Sequence, residues 1–165
     1  MIPFVTVPEN SKTLIQLHFM IKTALITGAT SGIGKATAKL LAQNNFKIVL
    51  CGRRKDRLEA LEKKLSAFTA VHHLCFDVRD KKAVFESIGS LPEAFSDIDI
   101  LVNNAGNAHG LDSIQNGDMD DWDAMIDINV KGLLYVSKAI IPKMIAKESG
   151  HIINIGSIAG KEVYP

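Results

Sequence analysis

Excess charge of either sign is the first thing this sequence lacks. Nineteen basic and eighteen acidic residues leave a formal net charge of +1. No electrostatic argument therefore favours nucleic acid or an anionic membrane as a partner. No apolar stretch approaches the length that crosses a bilayer. The segment Met1 to Met20 carries Glu9 and Lys12 as its only early charges. It has no basic start followed by a sustained apolar core, so it does not read as a secretory signal. Cysteine is scarce as well. The two cysteines, Cys51 and Cys75, have no metal-type spacing, and each closes an apolar run. Both read as small buried thiols rather than a disulfide, which fits a reduced, cytoplasmic setting. His72, His73 and His109 also lack ligand spacing and read as surface residues, while His151 reads as a satisfied core or edge residue. No metal site is expected. Linkers, low-complexity tracts and sequence repeats are absent too, and 165 residues suit one domain.

What remains is a rhythm of apolar runs and helical patterns. Strands are predicted over 22–27, 47–51, 71–76, 98–102 and 151–156, and helices over 33–44, 55–66, 80–89 and 119–146. The strands are continuously apolar, as expected where helices cover both sheet faces. Repeated β-α units of this length imply a parallel sheet with right-handed crossovers. The expected fold is a Rossmann-type, doubly wound α/β domain with strand order 3-2-1-4-5, ending after the fifth strand. It begins at Ile21. Residues 1–20 are expected to lie outside it, with Met20 an alternative start. Helix 55–66 places Leu58, Leu61 and Leu65 on one face and pairs Glu59 with Lys63 on another.

The most informative segment is Thr27-Gly28-Ala29-Thr30-Ser31-Gly32-Ile33-Gly34, between the first strand and the first helix. Glycine tolerates positive φ and lets backbone approach an anion. The helix that follows aims free N–H groups and a positive dipole end at it. Strand before and helix after is the context that a dinucleotide fingerprint requires. The second strand then ends Gly52-Arg53-Arg54, with no carboxylate where a ribose 2′-OH would need one. Guanidinium groups chelate a phosphate, and cations oppose the dipole of a helix start unless a ligand justifies them. The pair points to NADP(H) over NAD(H). Asp77 reads either as a helix cap, for which Asp80 is better placed, or as an acceptor for an adenine amino group. Asn103-Asn104-Ala105-Gly106 stands at the carboxyl end of strand four, in the ligand crevice of such sheets. Its alternative is an Asn-rich turn. Asn129 falls among Trp122, Met125, Ile126, Leu133 and Ile140, an apolar stripe. A buried amide there needs partners: a neighbouring loop, an active-site water, or a local break in the helix. Ser157 follows strand five without a triad partner. It reads as a cap, or as a hydroxyl that orients a carbonyl or hydroxyl group.

In order, Thr27-Gly28-x-x-x-Gly32-x-Gly34, Asp77-Val78, Asn103-Asn104-Ala105-Gly106, Asn129 and Ser157 resemble the short-chain dehydrogenase/reductase family from about Lys22 onward. Gly52-Arg53-Arg54, Asn107-Ala108-His109-Gly110, Lys131-Gly132-Leu133 and His151 to Ser157 are similar to its NADP-dependent branch acting on 3-hydroxy acids such as serine and allo-threonine. The resemblance implies that Gly28, Thr30, Ser31, Gly32, Ile33 and Gly34 hold the pyrophosphate side, and Arg53 and Arg54 the 2′-phosphate. It implies that Asp77 and Val78 border the adenine, and that Asn104, Ala105 and Gly106 line the ribose-nicotinamide stretch. Ser157 would polarise the substrate oxygen and Asn129 would hold a proton-relay water. The partners implied are a small carbonyl or hydroxy substrate and, for the full-length form, a second copy in a dimer or tetramer.

One family element is missing. The tyrosines are Tyr135, followed at the fourth position by Ala139, and Tyr164, followed by Pro165. Neither makes the family's Tyr-x-x-x-Lys. The expectation is an N-terminal fragment of an NADP-dependent oxidoreductase, inactive alone, with strand five as an exposed apolar edge. The alternative is a non-catalytic nucleotide-binding module or degenerate subunit.

Overall fold

The computed structural model describes residues 21–110 and 112–162. The expectations for residues 1–20 and for Tyr164 lie outside them. The strands are β1 (Thr23–Thr27), β2 (Lys47–Gly52), β3 (Val71–Cys75), β4 (Ile100–Asn103) and β5 (His151–Asn154). They form one parallel sheet in the order β3-β2-β1-β4-β5. Alternate residues of β1 serve opposite faces, because strand side chains have a period of two. Leu25 joins a core with Val84, Ile88, Val136 and Ile140, on the side of α3 (Lys81–Gly89) and α6 (Leu133–Ala146). Ala24 and Ile26 join Ala38, Ala42, Leu58 and Leu65 on the side of α1 (Gly32–Gln43) and α2 (Lys55–Leu65). Each large side chain buried this way contributes about 1.5–3 kcal/mol.

The predicted doubly wound sheet and its order are therefore present, with local corrections. Burial on both faces holds for β1, β2 and β4 but not for the edge strands. The residues of β5 are all exposed, and β3 is only partly covered. Cys75, at the end of edge strand β3, is exposed, against the expectation of a buried thiol; Cys51, on central strand β2, is buried, and both are free. Burial pushes the Cys51 thiol far up from its ordinary range. A thiol reagent applied to the native protein should modify Cys75 and reach Cys51 only after unfolding. Mass spectrometry of the labelled protein reads this directly, and modification of both in the native state would contradict the packing. On α2, Leu58, Leu61 and Leu65 are buried as expected. Glu59, however, pairs with Lys55 at 3.8 Å rather than with Lys63. A short α4 (Glu93–Ser96), entered from Pro92, had no sequence signal beyond that proline.

The largest correction concerns the predicted helix 119–146. It is two α-helices, α5 (Met119–Ile126) and α6, joined by a π-helical turn over Asp127–Gly132. A π-turn closes i→i+5 hydrogen bonds and so adds a residue to the turn. Residues after it face a direction that a regular helix would not give them. The buried positions become Ile128, Gly132, Val136, Ser137, Ile140 and Met144. Ile126 is 51% exposed. Asn129 is exposed rather than on a buried stripe. Among the described residues no helix is long and apolar enough to cross a membrane.

Candidate cofactor and substrate site

Because the strands are parallel, their carboxyl ends share one edge, and the order reverses between β1 and β4. That switch point is where open α/β sheets hold ligands. Here it is built from Thr27-Gly28 and Asn103-Asn104-Ala105. Thr27 is 2% exposed. Its Oγ1 accepts from the backbone N–H of Asn104 at 3.0 Å and of Ala105 at 2.9 Å, and donates to the Val102 carbonyl at 3.4 Å. The Asn104 side chain closes the same gap in the other direction. Its Nδ2 donates to the carbonyls of Thr27 at 2.9 Å and Gly28 at 3.3 Å. The expected ribose-side residue Asn104 thus fastens the turn after β1 to the end of β4. The sequence motif contains Thr27 without marking it as a site residue. A hydroxyl at the last position of a buried strand was its only signal.

The three glycines of the turn do different work. Gly28 has φ +64°, and a Cβ on it would stand 2.9 Å from Asn104 Nδ2 and 3.0 Å from Ala105 Cα. At Gly34 a Cβ would lie 2.7 Å from the Gly28 oxygen and overlap the Asn104 amide. These two glycines permit close packing of the turn. Gly32, at φ +52°, has nothing within 4 Å of the Cβ position. Its side opens outward, beside Ile33, which is 60% exposed at the start of α1. Helix α1 starts without a side-chain cap, so its first N–H groups lack one partner that helix starts usually provide. The open cradle, the uncapped helix start and the uncovered Ile33 together fit a phosphate-bearing ligand lying across the turn.

The arginines stand beside it. Arg54 Nη2 donates to Thr30 Oγ1 at 2.7 Å and to Ser31 Oγ at 3.1 Å. Arg53 reaches Asp77 at 3.4 Å. Asp77 is also gripped by Arg79, whose Nη2 lies at 2.8 Å and Nε at 3.1 Å from Oδ2. Its Oδ1 accepts the Arg79 N–H at 3.0 Å. Partial burial acts to raise the Asp77 pKa, but the hydrogen bonds from Arg79 and the charges of Arg79 and Arg53 outweigh it, and the carboxyl stays below its ordinary value. Asp80, as expected, is the residue that caps α3, accepting from Ala83 N–H. Val78 is buried and touches the π-turn: a Cβ on Gly132 would stand 2.7 Å from Val78 Cγ2.

On the far side of the switch point, Asn129 spends its whole amide on one neighbour. Oδ1 accepts from Asn107 N–H at 2.9 Å, and Nδ2 donates to the Asn107 carbonyl at 2.8 Å. Of the three possibilities for this residue, a loop partner and a broken helix both occur. Gly106 fits against it, since a Cβ there would lie 3.0 Å from Asn129 Oδ1. The loop continues with His109, whose Nε2 meets Asn107 Nδ2 and whose Nδ1 lies 3.5 Å from Asp121 Oδ1. His109 is therefore wired to α5 although it is partly exposed. Ser157 caps a short 3-10 turn, Ile158–Gly160, accepting from Ala159 N–H at 3.2 Å. Among the described residues no hydrogen bond joins Ser157 to Asn129. Asn103 ties β4 to its neighbours, donating to Asn154 Oδ1 at 2.9 Å and Ser137 Oγ at 3.0 Å.

Comparison with known proteins agrees with this architecture. The family model for short chain dehydrogenase matches residues 22–165. NADP-dependent 3-hydroxy acid dehydrogenase YdfG of Salmonella typhi is 45% identical over 140 residues, covering 85% of this chain and 56% of that protein. Sulfoacetaldehyde reductase 2 of Chromohalobacter salexigens is 46% identical over 147 residues, covering 88% of this chain and 58% of the other. A crystal structure of serine dehydrogenase from Escherichia coli is similar with a TM-score of 0.80 and 42% identity, over 86% of this chain and 65% of that one. The chain spans a little more than half the length of the curated relatives it matches. With the glycine turn, the Asn pair and the parallel sheet all in place, the chain belongs to the short chain dehydrogenase family.

Proposed function

We propose that the chain binds NADP(H) across the carboxyl edge of its sheet, and that the whole protein transfers hydride between NADP(H) and a small carbonyl/hydroxy substrate of the 3-hydroxy acid class. The observation that carries the cofactor reading is the β2 end. Arg53 and Arg54 stand where a carboxylate would select a free ribose hydroxyl, beside the Thr30 and Ser31 hydroxyls. Gly28, Gly32, Ile33 and Gly34 would flank the pyrophosphate, with Asp77 and Val78 beside the adenine and Ala105 and Gly106 along the nicotinamide ribose. NADPH, when bound, supplies a hydride. The residues of this chain do the holding. Asn129 fixes the Asn107 backbone and with it the loop after β4, and the Ser157 hydroxyl would orient a substrate oxygen. A homo-oligomer in the cytoplasm completes the reading, and the relatives' names support the substrate class.

The second reading is a nucleotide-binding module without catalysis. One titration addresses the cofactor. Fluorescence of NADPH and NADH against the purified protein should show NADPH bound about tenfold tighter or more, the value of one to two charge-assisted hydrogen bonds. Arg53→Asp should erase that preference. Equal affinity of the unaltered protein for both nucleotides would remove the basis for NADP(H). Steady NADPH oxidation with a keto acid would decide against the module.

A further inference from the structure

Two arginines share the carboxylate of Asp77, and they hold it unequally. Arg79 grips Oδ2 with Nη2 at 2.8 Å and Nε at 3.1 Å, and its backbone N–H donates to Oδ1 at 3.0 Å. Arg53 reaches the same Oδ2 with Nη1 alone, at 3.4 Å, from a side chain that is 59% exposed. Charge-assisted bonds between such groups are about 2.7–2.9 Å long, and a single exposed pair at a longer distance holds weakly. Arg79 is attracted from a second side as well. Its pKa is raised first by the hydrogen bond and charge of Asp77, then by Asp127 at the start of the π-turn.

Arg53 is anchored through its backbone rather than its side chain. The Cys75 thiol donates to the Arg53 carbonyl at 3.7 Å, and the Gly52 carbonyl accepts from Phe76 N–H at 3.0 Å. The end of β2 therefore stays beside the end of β3 while the Arg53 guanidinium is loosely held. Arg54 differs, since its guanidinium bonds the Thr30 and Ser31 hydroxyls. Of the two β2 arginines, Arg53 is the one whose freedom depends on Asp77.

That freedom depends in turn on Arg79. Asp77 and Arg53 alone would cancel, and an incoming phosphate would meet a closed ion pair and a carboxylate that repels it. Without Arg79, Asp77 would also offer Arg53 both oxygens, the bidentate arrangement that suits a guanidinium. With Arg79 on Oδ2, the cluster keeps a net positive charge and Arg53 remains available to a second anion.

We propose that Arg79 is a positioning residue for phosphate selectivity: it neutralises Asp77 and so frees Arg53 to turn to the 2′-phosphate of a bound nucleotide. This role rests on the NADP(H) reading above and adds to it a residue outside the β2 end. Arg79 acts only through Asp77 and Arg53.

Calorimetry with 2′-AMP, 5′-AMP, NADP+ and NAD+ tests the role in the purified protein and in Arg79→Gln, Arg79→Lys and Arg79→Gln/Asp77→Asn. Arg79→Gln should lower the affinity for 2′-AMP and NADP+ about tenfold, the effect of losing one charge-assisted contact. Affinity for 5′-AMP and NAD+ should fall much less. Lysine keeps a charge beside Asp77 without the fork, so Arg79→Lys should show a smaller loss of preference. It carries the test if melting curves show Arg79→Gln to be unfolded. In the double variant the carboxylate charge is gone as well, Arg53 is free again, and the preference for NADP+ over NAD+ should return. A merely structural Arg79 would weaken all four ligands together and show no such return, which would overturn the proposal. A preference present in the unaltered protein that survives Arg79→Gln would overturn the role of Arg79 alone. If the unaltered protein binds NADP+ no better than NAD+, the NADP(H) reading fails, and this role with it.

Discussion

Replacing Thr27 with valine should lower the urea midpoint of unfolding by about 1 M or more, while Thr27→Ser should stay close to the unaltered protein. Valine keeps the shape of threonine but removes the oxygen that two backbone N–H groups use. Both groups lie at the part-buried junction of β1 and β4. An unsatisfied donor there costs about 1–3 kcal/mol, so the pair costs about 2–6 kcal/mol. Domain stabilities are about 5–15 kcal/mol, and urea slopes are about 1–3 kcal/mol per molar. Serine retains the oxygen and loses only a methyl group. Equal midpoints for the valine variant and the unaltered protein would mean that Asn104 N–H and Ala105 N–H find other partners. The loss should extend to nucleotide affinity, because the same hydroxyl positions the Asn104 carboxamide under the glycine turn.

The second large effect is a contrast between two glycines. Both Gly34→Ala and Gly32→Ala should weaken nucleotide binding, but Gly34→Ala should cost the fold more, through close contacts that Gly32→Ala does not make. At Gly34 the new methyl meets the Gly28 carbonyl at 2.7 Å and the Asn104 amide. Neither can retreat, because the amide is held by the Thr27 and Gly28 carbonyls. Overpacking of this kind costs about 1–3 kcal/mol or more, which in a chain of this size lowers the melting temperature by about 2–4 °C per kcal/mol. At Gly32 the methyl meets nothing, and the cost is the left-handed backbone at φ +52°, about 1–2 kcal/mol. The methyl does, however, stand in the mouth of the cradle. NADPH affinity should fall about tenfold or more for either variant, since any contact worth 1.4 kcal/mol has that effect. Paired melting and binding measurements separate them. A Gly34→Ala protein that melts with the unaltered chain would refute the close-packing role.

Local patterns carried much of this structure. The apolar runs, the Leu58, Leu61 and Leu65 stripe and the Asp80 cap follow from periodicity and turn chemistry within short windows, and the strand order follows from the fold type that repeated β-α units imply. The glycine turn was legible for the same reason: strand, turn and helix are contiguous. All but one of the misses named here are non-local. Glu59 has a lysine four residues away on either side, and spacing alone cannot choose between Lys55 and Lys63. Cys75 is exposed because its strand is at an edge, which depends on the whole sheet. The amide of Asn129 is matched to Asn107, 22 residues earlier. The double role of Asn104 depends on β1 and β4 meeting. For Cys75, Asn129 and Asn104 the deciding neighbour lies outside the residue's own element, and its distance along the chain hides it; for Glu59 two equivalent partners lie within the one helix.

The π-turn has a consequence for how the segment 119–146 tolerates change. A regular helix advances about 100° per residue, from its 3.6-residue turn. Residues before and after Asp127–Gly132 are thus two amphipathic stretches set in different phase, like two rulers joined with an offset. The wide turn holds one residue more than an α-turn. Removing that residue would restore a regular helix and leave Val136, Ile140 and Met144 on the core and Ser137 beside Asn103. A residue added to or taken from the regular helix after it would instead turn every later side chain by about 100°. The join is thus where this segment absorbs a change of length at least cost to the core, and what a deletion there would disturb is the match between Asn129 and Asn107.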